Sequence, residues 1–201
     1  MSDIIVRRAQ EADLDTVVPA FAAATADEVV NAWIAAAGPV PVDAYTAHLI
    51  ESMRKHLRDD EVWIAERDGR IEGLSVWIQV ASTERFHAEV EEIAAMAETM
   101  ALPMLGRAET VMRLIAGAHP EKFPHLYLFS IAVVPEHRGA GAGGAMLKAR
   151  LATAEQEGMP VYLEASTEDS ARLYRRHGFE AIGDRLRLPE EGPTLIPMWR
   201  N

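Results

Sequence analysis

Apolar positions recur along this chain at helical spacing in some stretches and at strand spacing in others, and the switches between them mark the elements. IIVRRA (4–9) reads as a short first strand. Residues 11–38 follow with helical spacing, Asp13 near the start and Gly38-Pro39 at the end; Pro19 predicts a kink or a break between two helices. Residues 40–59 restart a helix, with Asp43 placed as its N-cap and Leu49, Met53 and Leu57 on one buried face. In EVWIAERDGRIEGLSVWIQV (61–80) two apolar runs flank Asp68-Gly69, a pair that accepts the positive φ of a tight hairpin turn. Residues 84–117 read as helix interrupted near Pro103.

LYLFSIAVV (126–134) is almost continuously apolar, as expected of a strand covered on both faces. After a Gly-rich turn, AMLKARLATAEQEG predicts an amphipathic helix ended by Gly158. MPVYLEAS predicts another buried strand, and SARLYRRHGF a short helix before Gly178. FEAIGDRLRLP and PTLIPMWR predict two strands joined by a Glu-Glu-Gly-Pro turn. With no repeat, low-complexity tract or linker, the pattern predicts one α/β domain with a mixed sheet.

Composition narrows the chemistry. The 49% hydrophobic and 25% charged fractions are ordinary for a soluble globular protein. No apolar run approaches the roughly 20 residues that cross a bilayer, and the start lacks the pattern of a secretory signal. The absence of cysteine excludes disulfides, thiolate metal sites and a thiol nucleophile. A cytoplasmic protein is the expectation. The net charge of −11 argues against nucleic-acid or anionic-membrane binding. Residues 1–116 hold nearly two-thirds of the 31 acids but half of the 20 Lys and Arg, so they carry almost all of that charge. An anionic ligand is expected to prefer the C-terminal part, and a cationic amine the N-terminal part.

The turn EHRGAGAGG (136–144) lies between a buried strand and a helix. Glycines admit positive φ and close backbone approach, and a helix N-terminus carries free N–H groups and partial positive charge suited to phosphate oxygens. Arg138, Lys148 and Arg150, with no acid between 137 and 154, favour an anion such as a pyrophosphate. A flexible joining loop is the plainer reading of the same glycines. A P-loop is excluded because the turn closes with Gly144-Ala145-Met146 and not with Gly-Lys-Ser/Thr. A dinucleotide fold would place its glycines after the first strand.

Arg138-x-x-Gly141-x-Gly143, after a strand ending Ile131-Ala132-Val133-Val134-Pro135, resembles the acetyl-CoA signature of the GNAT (Gcn5-related N-acetyltransferase) family. A second family motif is similar to VYLEASTEDSARLYRRHGF (161–179), at the expected distance. Within the family, HPEKFPHLYLFSIAVVP, the LEAS strand and GPTLIPMWR resemble the puromycin N-acetyltransferase-like actinobacterial group, whereas residues 1–120 look less alike. The resemblance implies a single GNAT domain over 1–201: a mixed sheet with two splayed parallel strands, flanked by helices. Residues 1–120 would form mainly the acceptor side, and 121–201 the acetyl-CoA side. It also implies that main-chain groups of Ala132, Val133 and Val134 hold the pantetheine arm. Amides of Arg138, Gly139, Ala140, Gly141, Ala142, Gly143 and Gly144 would hold the pyrophosphate. Family members are often dimers, so a homodimer is expected.

By the same resemblance Tyr174 lies near the cofactor sulfur, where its phenol donates to the leaving thiolate; a core tyrosine is the other reading. Thr167 stands where many members carry Asn and would bond the pantetheine amide, with Ser170 as a second polar candidate. Two candidates for the base come from the residues themselves. Glu164 falls in a buried strand, where a carboxylate is costly and its pKa rises, so it is a base or a structural acceptor. His125 shares one face of its strand with Tyr127 and titrates near neutrality. His119 and His177 read as surface or packing residues, and no metal is expected. Trp33, Trp63, Trp77 and the Met-rich stretch 96–112 are either acceptor-pocket lining or core. The expected function is acetyl transfer from acetyl-CoA to a small amine, such as an antibiotic or xenobiotic. The alternatives are an acyl-CoA-binding sensor module, or a protein or peptide N-acetyltransferase, which would need an open groove.

Overall fold

The first strand, β1 (Ile5–Arg8), leads through a short 3-10 turn into α1 (Leu14–Thr25), α2 (Val29–Ala35) and α3 (Val42–Asp59). The protein is described by a computed structural model, over residues 2–100 and 102–201. The hairpin β2 (Glu61–Arg67) and β3 (Arg70–Val80) is followed by α4 (Glu84–Met100) and α5 (Pro103–Ala118). The remainder alternates: β4 (His125–Val133), α6 (Ala142–Gln156), β5 (Val161–Ala165), α7 (Glu168–Arg176), then β6 (Glu180–Ala181), β7 (Leu186–Arg187) and β8 (Thr194–Arg200). The sheet order is β1-β2-β3-β4-β5-β8-β6, with β7 also paired to β8. Among the described residues, only β4 and β5 run parallel; the other pairs are antiparallel.

Core clusters assign the helices to two faces. Val17, Val18, Leu49 and Met53 of α1 and α3 meet Val62, Ile64, Leu74 and Val76. Phe86, Val90 and Ala116 of α4 and α5 meet Ile78, Val80, Tyr127, Tyr162 and Trp199 on the same side. Leu147, Leu151 and Ala154 of α6 pack with Ala171 and Tyr174 of α7 on the opposite face, against Trp77, Leu126, Leu163 and Met198. The fold is a single α/β domain, a mixed sheet flanked by helices on both faces. Among the described residues no helix is long and apolar enough to cross a membrane.

The hairpin forms as predicted, with Asp68 at φ 51° and Gly69 at φ 73°. Four local expectations are corrected. Pro19 sits inside α1 and so does not divide two helices; that break falls at 26–28. There the Glu28 carboxylate accepts from the N–H groups of Val30 and Asn31 and so starts α2. Pro41, not Asp43, is the N-cap of α3; Asp43 occupies the first turn, where it complements the helix dipole. The stretch FEAIGDRLRLP forms two short strands, because Pro197 of β8 has no N–H to offer opposite the gap. Finally, β4 is buried on both faces only over its first four residues.

One buried ion pair ties α6 to the sheet. Arg150, with a 1% exposed side chain, bonds Glu61 at 2.7 and 3.1 Å, and the Trp63 indole donates to the same carboxylate. Removing one partner of such a pair strands a buried charge. Glu61→Ala is expected to lower unfolding free energy by about 3 kcal/mol in a denaturant titration, since Glu157 compensates only from an exposed position.

Candidate active site

The parallel pair β4–β5 holds register only at Leu126↔Val161 and Tyr127↔Tyr162. Beyond that point the strands diverge. The cause lies on the other side of β4: its ladder to β3 pairs Ser130 with Val76 and Leu128 with Trp77, leaving Phe129 as an extra, unpaired residue. A bulge of this kind bends its strand and increases twist, and Phe129 is 37% exposed. The result is an opening between the C-terminal halves of β4 and β5.

Glu164 and Tyr127 meet across this opening. The Tyr127 hydroxyl donates to Glu164 Oε2 at 2.7 Å, while Oε1 is enclosed without a partner. The Tyr162 hydroxyl, also close to this carboxylate, is enclosed and makes no hydrogen bond of good geometry. Burial raises the Glu164 pKa to about 7 against the opposing help of the tyrosine hydroxyls. A carboxylate poised near neutrality beside a cleft is suited to exchange a proton.

Tyr174 reaches the sheet from the other face. It is 7% exposed and packs edge-on against Phe179 at 5.9 Å. Burial, reinforced by the charge of Glu28, raises its pKa, so the phenol keeps its proton.

The main chain offers free donors along the same opening. Val134 N–H bonds Glu72 O at 2.8 Å, so by strand alternation Ala132 also faces β3. Ile131 and Val133 instead turn their backbone groups toward the gap. Beyond β4, the amides of Arg138 and Ala140 are spent on Pro135 O and His137 O. Gly139 and Gly141 adopt φ of 78° and 98°, and Gly141 is the N-cap of α6, without a side-chain cap. The N–H groups of Ala142, Gly143 and Gly144 are thus the open first turn of a 15-residue helix. Among the described residues, no atom beyond the chain neighbours and the helix's own backbone lies within 4 Å of where a side chain would begin at Gly139 or Gly144, so this turn is not packed over by the rest of the protein.

The side chains expected around the cradle behave differently. The Arg138 guanidinium is held by Asp27 through two bonds of 2.6 Å and also donates to Val133 O and Ala24 O. Arg150 is buried against Glu61 and unavailable to an anion, a correction to the charge argument for the turn. Thr167 and Ser170 form the capping box of α7: Thr167 Oγ1 accepts from Ser170 N–H at 3.0 Å, and Ser170 Oγ accepts from Thr167 N–H. Both hydroxyls are engaged there.

His125 is fully buried, with Nδ1 2.9 Å from Lys122 O and Nε2 3.0 Å from His119 Nε2. Since a carbonyl only accepts, Nδ1 of His125 carries the proton and His119 donates through Nε2. Desolvation lowers both imidazole pKa values, that of His119 to about 3. Neither ring nitrogen of His125 is open to an acceptor, which removes the geometry a base requires. Trp77 is fully buried, with its indole on Ser75 Oγ, and Trp63 packs on the same α6-side core, away from Glu164. Trp33 lines a separate cavity of about 360 Å³ with Pro103, Arg107 and Glu190. The residue pattern does not mark Phe129 or the Asp27–Glu28 connection, and it does not set Ile131 apart from its neighbours in the signature strand. Only the bulge and the chain crossing bring them to the site, and neither leaves a mark in local residue pattern.

A family model described as the Acetyltransferase (GNAT) family matches residues 27–179. Among solved structures, the chain is similar to a Corynebacterium glutamicum protein described as histone acetyltransferase HPA2 and related acetyltransferase. The TM-score is 0.69 at 23% identity, covering 99% of this chain and 96% of that one. It is similar to mosquito arylalkylamine N-acetyltransferase like 5b, with TM-score 0.71, 19% identity and coverage of 98% and 99%. It is also similar to the Drosophila melanogaster polyamine N-acetyltransferase that forms N-acetylagmatine, with TM-score 0.65, 20% identity and 98% coverage of each chain. The splayed strands, the open glycine cradle and the family match agree: this chain is a member of the GNAT acetyltransferase family.

Proposed function

We propose that the protein transfers the acetyl group of acetyl-CoA to the nitrogen of a small amine by direct transfer. The observation that carries this reading is the opening between β4 and β5, lined by free backbone amides and closed at its base by the Glu164–Tyr127 hydrogen bond. Acetyl-CoA, when bound, supplies the acetyl group as an activated thioester. The free N–H groups of Ile131 and Val133 would hold the pantetheine arm, and one of them would polarise the thioester carbonyl. The amides of Gly139, Gly141, Ala142, Gly143 and Gly144 would hold the pyrophosphate. Residues 121–201 are thus the donor side and residues 1–120 mainly the acceptor side.

Glu164 takes a proton from the amine, directly or through water, and His125 serves as packing. Tyr174, protonated throughout the physiological range, donates to the leaving sulfur. The acidic N-terminal part favours a cationic acceptor. The similar structures named for polyamine and arylalkylamine acetylation support a small amine. The stretches resembling the puromycin N-acetyltransferase-like group support an antibiotic or other xenobiotic among such amines. A cytoplasmic location rests on composition, and a homodimer on the habit of the family.

Two measurements test this reading. Millimolar acetyl-CoA is expected to raise the melting temperature by several degrees, because a ligand bound only to the folded state stabilises it; no shift would contradict the donor assignment. Tyr174→Phe is expected to slow turnover on the order of 10²-fold with donor affinity unchanged. Unaltered turnover would remove Tyr174 from the acid role.

A further inference from the structure

Acetylation of an alkylammonium removes two protons from nitrogen: one ends on the thiol of CoA, and the other must reach water. Glu164 takes one of them, but with Oε1 enclosed and Oε2 held by Tyr127 it has no hydrogen-bonded route that passes a proton on to water. A second titratable group stands on the same face of the sheet. The His56 ring, on the last turn of α3, lies 5.3 Å from that of Phe129, the unpaired residue of the β4 bulge. Phe129 lies 6.1 Å from Tyr127, the partner of Glu164. His56, its side chain 10% exposed, therefore packs on the bulge residue that stands between it and the Glu164–Tyr127 pair.

Its surroundings fix the ring. Nδ1 is 2.8 Å from Asp60 Oδ2, and Asp60 accepts two further bonds from Arg85 at 2.6 and 2.8 Å. Arg85 also bonds Glu89, which pairs with Lys55, so the charged groups around the imidazole are Asp60 and Arg85, with Glu89 and Lys55 beyond them. Burial acts to raise the Asp60 pKa, but the bonds from Arg85 and His56 outweigh it and hold the carboxyl below its ordinary value. An ionised carboxylate only accepts, so Nδ1 carries the ring proton and the lone pair lies on Nε2. Nε2 bonds none of the described residues and is not among the enclosed polar atoms.

Resting on the acetyltransferase reading, we propose that His56 is a second proton acceptor of the acceptor cleft. The Nε2 lone pair takes one N–H proton from the incoming ammonium, leaving the nitrogen pair free to form the new N–C bond. The imidazolium that results is stabilised by Asp60 and returns its proton to water. An imidazole can take and return a proton through one ring nitrogen while the other stays hydrogen-bonded. Asp60 and Arg85 are positioning residues that fix the tautomer.

The test combines kinetics with a spectroscopic signature, using agmatine and phenethylamine as probes. His56→Gln is expected to lower kcat on the order of 10²-fold with acetyl-CoA affinity and melting temperature retained, and imidazole is expected to restore part of the turnover of His56→Ala. In wild-type protein with CoA bound, adding an amine that is turned over is expected to shift the His56 Nε2 nitrogen-15 resonance and leave those of His119 and His125 in place. This second arm stands even if the variants fail to fold. Turnover by His56→Gln within about twofold of wild type, or an unmoved Nε2 resonance, overturns the assignment of His56 alone. A wild-type enzyme that releases no thiol with any amine overturns it together with the acetyltransferase reading.

Discussion

Glu164→Gln is expected to lower the rate of acetyl transfer by about 10²- to 10³-fold and, at the same time, to make the folded protein more stable at pH 8. Both effects follow from one carboxyl group. Burial raises its pKa from 4.5 to about 7 in the folded state. As pH rises between these values the unfolded chain ionises first, so the folded state loses relative stability through that window and loses no more above it. Glutamine keeps an acceptor for the Tyr127 hydroxyl and removes the buried charge. The variant is expected to gain up to about 3 kcal/mol at pH 8 and nothing at pH 4. In the wild type the proton-accepting form is the carboxylate, so kcat/KM is expected to rise with pH through about 7. Glu164→Gln is expected to lose that acid limb. Denaturant titrations at the two pH values and a pH–rate profile check both halves. A variant less stable than wild type at pH 8 would show the carboxylate to be a structural acceptor.

The largest effect on donor binding is expected from Gly141→Val. Gly141 holds φ at 98°, where an L side chain is strained although Ile4 leaves room at 3.8 Å. A left-handed residue costs about 1–2 kcal/mol, and more when β-branched. The chain relieves the strain by turning the cradle amides away from a common point, so acetyl-CoA affinity is expected to fall on the order of 100-fold. Gly144→Ala provides the contrast. It lies inside α6 at ordinary helical φ with open space around it, so it is expected to stabilise the helix by about 1 kcal/mol and leave the amides in place. Calorimetric titration of both variants with acetyl-CoA separates backbone geometry from mere loss of a glycine.

Much of the donor side was legible in the sequence. The hairpin at Asp68-Gly69, the buried half of β4 and the helix after the glycines all follow from local periodicity and from residues that permit positive φ. The position of Glu164 was legible for the same reason: a carboxylate inside an apolar strand announces its own burial. What depends on tertiary pairing was not. Phe129 leaves the ladder because β3 and β4 slip by one residue, and that slip sends Ile131 and Val133, rather than Ala132 and Val134, to face the gap. Arg138 and Arg150 read as a basic surround for an anion, yet acids more than 80 residues away in sequence capture both. His125 titrates near neutrality as a free side chain, but Lys122 O and His119 engage both of its nitrogens. His56, a residue of no apparent pattern on α3, acquires its carboxylate partner only where the helix ends at Asp60.

The central claim is acetyl-CoA-dependent acetylation of a small amine. The most direct measurement is free-thiol release by purified protein, with acetyl-CoA and a panel containing agmatine, phenethylamine and puromycin. Thiol release above the no-amine rate with at least one member, and matching N-acetyl product by mass, is the predicted result. Tight acetyl-CoA binding with no thiol released by any amine would contradict it and leave a donor-binding module in its place.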